Sequence, residues 1–97
     1  MADKQVFDNP NIVSIPVSCD GSAYIAEVGF NPRKVEVVAA GGACAIAYKD
    51  AAAAMKLTSA AALVSGLVTF NGDNTVTLGT DAALNVSGTV TTLMCYK

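Results

Sequence analysis

The stretch Arg33-Lys34-Val35-Glu36-Val37-Val38-Ala39-Ala40-Gly41-Gly42-Ala43-Cys44-Ala45-Ile46-Ala47-Tyr48-Lys49 decides the fold. Lys34 and Glu36 alternate with Val35 and Val37, the period-two signature of a half-buried strand. Gly41-Gly42 then turns the chain, and Ala43–Lys49 returns as the partner strand. That return strand has Cys44, Ile46 and Tyr48 on a large face and Ala43, Ala45 and Ala47 on a small one. Alanine on one face permits close approach of another sheet or chain. A hairpin with this patterning belongs to a β-protein.

Working outward, Ile12–Ser18 also alternates, with Val13, Ile15 and Val17 on one side and Ser14, Pro16 and Ser18 on the other. Pro16 lacks a ladder donor, which predicts an edge strand or a strand beside a bulge. Cys19-Asp20-Gly21-Ser22 reads as a turn into a second strand over Ala23–Val28, and the two together read as a hairpin. Gly29-Phe30-Asn31-Pro32 makes a corner before the deciding stretch. Further on, Gly66–Phe70, Thr75–Leu78 and Val86–Tyr96 have β character. Asn71-Gly72-Asp73-Asn74 turns between two of them, and Thr80-Asp81-Ala82-Ala83 forms a tight turn. Asp50–Ala62 is different. Asp50 before four alanines looks like an N-cap before helix formers, which predicts a short helical turn or loop around residues 50–62. The regular spacing of turns predicts an all-β fold, a β-sandwich or jelly-roll-like barrel of about eight short strands.

Residues 1–11 are polar and end in Asn9-Pro10-Asn11, which predicts an extended N-terminal arm ahead of a single β domain over residues 12–97. Val6 and Phe7 are its large apolar residues. They either pack back on the body or latch onto a neighbouring subunit. Val6, Phe7 and Pro10 are therefore the candidate partner-binding residues.

Composition bounds the function. The chain has 97 residues, room for one domain, of which 53% are hydrophobic and 14% charged. Globular chains carry roughly 25% charged residues. Alanine inflates the hydrophobic count, yet so few charges leave part of the surface apolar, and apolar patches mark interfaces. The net charge is −2 and the six Lys and Arg are scattered. Counterion release needs gathered cations, so neither nucleic acid nor an anionic membrane is an expected partner. No apolar leader follows Met1-Ala2-Asp3-Lys4-Gln5, and the charge-free run Leu57–Gly72 is too short to span a membrane.

Chemistry is sparse. The chain has no histidine, the usual base near neutral pH. The carboxylate pairs that could substitute are Asp73 with Asp81 and Glu27 with Glu36. The first lies in or beside turns, the second in strands, and both read as structural. Asn71, Asp73, Asn74 and Asp81 lack the ordered spacing of a calcium loop. Cys19, Cys44 and Cys95 are odd in number, contain no Cys-x-x-Cys pair, and read as reduced apolar residues suited to a reducing cytoplasm. Tyr24, Tyr48 and Tyr96 could stack on sugars or bases, but they are spread along the chain and read as packing residues. The expectation is a non-enzymatic protein without cofactor or metal.

Two segments carry a resemblance. Gly29-Phe30-Asn31-Pro32-Arg33-Lys34-Val35-Glu36-Val37-Val38 is one. Leu78-Gly79-Thr80-Asp81-Ala82-Ala83-Leu84-Asn85-Val86-Ser87-Gly88, running on to Tyr96-Lys97, is the other. Together they resemble small virion-associated proteins of tailed bacteriophages, in which such a turn-plus-strand precedes a variable middle and a second turn precedes a final strand. The alanine-rich Asp50–Ala62 departs from that pattern. The resemblance implies a capsid decoration (cement) protein, made in the host cytoplasm and carried on the outer capsid surface. It would bind the major capsid protein as a homo-oligomer, with a trimer favoured. It implies no catalytic residue. The rival readings are a tail, neck or head-spike component that contacts the host, and an unassigned small β binding domain.

Overall fold

The computed structural model describes residues 5–6, 11–58 and 61–97. Ten strands, β1(Gln5–Val6), β2(Ile12–Ser18), β3(Tyr24–Glu27), β4(Lys34–Val38), β5(Cys44–Tyr48), β6(Ala54–Leu57), β7(Ala61–Val64), β8(Val68–Phe70), β9(Thr75–Leu78) and β10(Val90–Tyr96), form two sheets. The large sheet has the order β1-β2-β10-β4-β5-β6-β7 and the small one β3-β9-β8. Every pairing is antiparallel. The domain is all-β and sandwich-like, with no helix among the described residues.

The chain visits the large sheet with β1 and β2, the small one with β3, the large one with β4–β7, the small one with β8 and β9, and closes the large one with β10. β2 and β3 are thus not the hairpin that their sequence spacing suggests. β2 pairs with β10, Ile15 against Leu93, while β3 pairs with β9, Ala26 against Val76. The 19–23 link carries the chain from one sheet to the other. Pro16 stands opposite Thr92 of β10, and the described residues of β1 pair with Val13 and Ser14.

The core lies between the sheets. Val35, Val37, Leu93 and Cys95 of the large sheet and Val76 and Leu78 of the small one are fully buried or nearly so. Ala45 and Ala47 join them, so the small face of β5 is the buried one and its large face points outward. Three strands cannot cover seven. The gap is filled by the 79–89 loop, whose Leu84 is wholly buried.

Of the two expectations for residues 50–62, the loop holds for residues 50–53, and no helical turn occurs among the described residues of the segment. Ala54–Leu57 is a strand paired with β5 and with β7, which itself begins at Ala61. Helix propensity is a weak prior, and a helix this short cannot sustain itself. The open edge of β5 offers a full ladder instead, and Ala54-Met55-Lys56-Leu57 places Ala54 in the core (7% exposed) by simple alternation.

Candidate interaction surface

The segment from Leu78 to Thr91 is a lattice of structural bonds. Gly79 lies against the backbone of the 64–68 crossing; a Cβ there would collide with the Gly66 carbonyl oxygen. Asp81 Oδ1 accepts from the Ala83 N–H, and the Asp81 carbonyl accepts from Leu84 and Asn85. The buried Asn85 side chain accepts from the Gly21 N–H and donates to the Ser22 and Gly79 carbonyls at 2.7 and 2.9 Å. It ties the 19–23 link to the loop that plugs the gap. Thr91 Oγ1 donates to the Leu84 carbonyl and accepts from the Cys19 thiol. In the other resembling segment, Asn31 Oδ1 accepts from the Asn74 N–H at 2.7 Å and Val35 and Val37 fill the core. The residues that carry the resemblance are occupied in holding the fold.

The carboxylates are likewise spoken for. Asp81 pairs with Lys56 Nζ at 2.9 Å, across the inner side of β6. Burial pushes its pKa up, but the Lys56 hydrogen bond and the backbone N–H groups outweigh burial and hold the carboxyl below its ordinary 3.8. Asp73 accepts from the Thr75 hydroxyl, and Asn71 Nδ2 donates to Thr75 and Thr77. Glu27 and Glu36 stand on opposite outer faces of the sandwich, so the structure does not bring them together. Among the described residues no group of three His, Cys, Asp or Glu side chains could hold a metal ion. Cys19 and Cys95 are buried free thiols, and burial pushes the Cys95 thiol up to about 12. Cys44 is half-buried on the outer face of β5.

That outer face is the unusual surface. Residues opposed in a ladder share a face, so register lays out cross-strand rows. One row runs Ser14, Met94, Glu36, Ile46, Met55, Leu63 across β2, β10, β4, β5, β6 and β7. The next runs Thr92, Val38, Cys44, Leu57, Ala61. Val38, Met55 and Leu63 are 50%, 43% and 75% exposed. Among the described strand residues of this face the charges are Lys34 and Glu36, which pair at 3.3 Å. Tyr96 donates to Glu36 Oε1 at 2.6 Å, and Lys34 Nζ sits 4.9 Å from the Tyr96 ring centre and 5.7 Å from that of Tyr48. The Tyr96 hydrogen bond, and then Lys34, hold the Glu36 carboxyl below its usual range against the opposing effect of burial. The two rings flank a depression lined by Arg33, Lys34, Tyr48, Asp50, Tyr96 and Lys97. Lys34 lies against one face of each ring, and Tyr48 remains 52% exposed.

Of the residues expected to bind a partner, Val6 is placed by its backbone alone, opposite Val13 in the β1–β2 pairing. Phe7, Pro10 and the Val6 side chain lie outside the described residues. The outward row through Met55 and Leu63 escapes sequence reading because Met55 lies in the segment that reads as a helical turn or loop and Leu63 directly follows it. Its signal is the alternation of Ala54, Met55, Lys56 and Leu57.

No family model matches this chain, and neither the curated proteins nor the solved structures contain a match.

Proposed function

We propose that this chain is a non-enzymatic virion structural protein, a capsid decoration (cement) protein that binds the assembled head of a tailed bacteriophage and stabilises it. The observation that carries this reading is the outer face of the large sheet, where Val38, Ile46, Met55 and Leu63 form an apolar surface with one internally neutralised ion pair. Such a surface is costly to leave in water and is suited to burial against other protein. The two segments that resemble virion proteins supply the setting.

The mechanism needs no chemistry at a reactive atom. A protein that binds the assembled shell and not its separated subunits stabilises the shell by mass action. Many copies, each bound weakly, add through avidity.

The test is cosedimentation with heads of the phage that encodes the chain, with heat release of the genome from heads lacking it. The expected outcome is saturable binding and earlier release from the bare heads. Binding to host cells without affinity for heads would move the protein to the tail, neck or spike. Binding to neither would remove the virion reading.

A further inference from the structure

We infer that the outer face of the large sheet is the contact face between copies of this chain. The inference starts from the same apolar face as the proposed function and assigns it to self-association, which leaves the capsid to be met by other surfaces of the oligomer; self-association and head binding are read by separate experiments, so the two can fail separately.

Size is the first argument. Six strands spaced about 4.8 Å apart, with about five residues each at about 3.3 Å, give a face roughly 29 by 17 Å, on the order of 500 Å² in projection. Side-chain relief raises the accessible area toward the roughly 800 Å² per partner of a standard interface. Stable association therefore needs nearly the whole face. An extended peptide or a small ligand would cover one row and leave the others wet. A second copy presents a surface of the same breadth and the same twist, and two like sheets pack face to face about 10 Å apart in a common geometry.

Charge is the second argument. The chain carries a net charge of −2, but the described strand residues of this face hold one Lys and one Glu and are neutral together. Two copies can approach through it without like-charge excess, and Lys34 of one copy can serve Glu36 of the other. A strongly basic or acidic partner would find nothing on it to pair with. The outer face of the small sheet is different: Glu27, Thr69, Thr75 and Thr77 surround Ile25 there. That face stays free for other contacts.

The native thiols report on the inference. Cys44 sits within the proposed contact, while Cys19 and Cys95 are buried in the core. A folded chain exposes one reactive thiol and an unfolded chain three. The experiment is light scattering of the purified full chain at micromolar concentration, with thiol labelling by an aromatic disulfide reagent. The variants are Val38→Glu with Met55→Glu on the large sheet and Ile25→Glu with Thr77→Glu on the small one.

The wild-type protein is expected at a multiple of the chain mass, with Cys44 labelling that slows as protein concentration rises. The large-sheet variant should run as a monomer, label faster, and still show one thiol. Its dissociation constant should rise roughly 100-fold or more, because buried unpaired charges oppose association. The small-sheet variant should keep the wild-type mass. A monomeric wild type overturns the inference, whether the face is covered by the chain's own residues 1–10 or open to water. An oligomer that survives the large-sheet substitutions, or that falls apart with the small-sheet ones, overturns it as well. Should the large-sheet variant show three thiols, the milder Val38→Thr with Met55→Gln decides between the same outcomes.

Discussion

On the small sheet the outward positions are Ile25, Glu27, Thr69, Thr75 and Thr77; on the large sheet the outward positions include Val38, Cys44, Ile46, Met55 and Leu63. Both sheets alternate, and both bury valine and leucine on the inner side. The difference lies wholly in what the solvent side carries. Threonine on a strand satisfies β propensity and still bonds water. A row of Ile46, Met55 and Leu63 satisfies the same propensity and does not. The strand pattern is thus compatible with either surface, and the outer residues record what each sheet faces.

The variant expected to cost most touches neither outer face and sets the baseline for both. Leu84→Ala empties a fully buried site in the loop that completes the core. A loss of about 2–5 kcal/mol in urea unfolding is expected, equal at low and high protein concentration. If that loss instead grew with concentration, association would be coupled to core packing and the separation of inner from outer face would fail.

A matched pair gives a smaller and more pointed effect. Ile25→Thr on the small sheet should stay within about 0.5 kcal/mol, as surface changes do. Val38→Thr on the large sheet should lower the midpoint of thermal unfolding more as the protein is concentrated, since association stabilises by mass action. Equal, concentration-independent behaviour of the two would erase the contrast.

A further small effect belongs to the inner side of the large sheet, where Lys56 interrupts the apolar set and reaches Asp81. The folded pKa of Asp81 lies below 3.8. The unfolded chain therefore binds this proton first as pH falls. The stabilisation is present in full above the ordinary carboxylate range and is lost as pH drops through the folded value. Asp81→Asn should remove on the order of 1 kcal/mol or less near neutrality and flatten the acid limb of the stability curve.

Much of the architecture was legible in particular residues. Lys34–Val38 and Cys44–Tyr48 are strands of one hairpin because alternation and a Gly-Gly turn are local signals. The turn at residues 71–74 links β8 and β9 for the same reason, with Gly72 and Asn74 at positive φ. The helical alternative for residues 50–62 was misleading because four alanines state a helix preference that is worth little against an open strand edge. The bonds that tie Asn85 and Thr91 to the 19–23 link could not be read, since Gly21 and Cys19 lie 64 and 72 residues away. The candidate surface was legible only as an excess of apolar residues without a location.

The sequence by itself determined that this chain is all-β, which residues alternate, and where the tight turns fall, because those follow from side-chain period and backbone stereochemistry within a few residues. Only the tertiary structure decided that β2 joins β10 and not β3, that the alanine-rich segment extends the large sheet, and that Val38, Ile46, Met55 and Leu63 lie side by side. Pairing between strands far apart in the chain depends on which ladders and apolar faces satisfy one another together, and no local stretch contains that information.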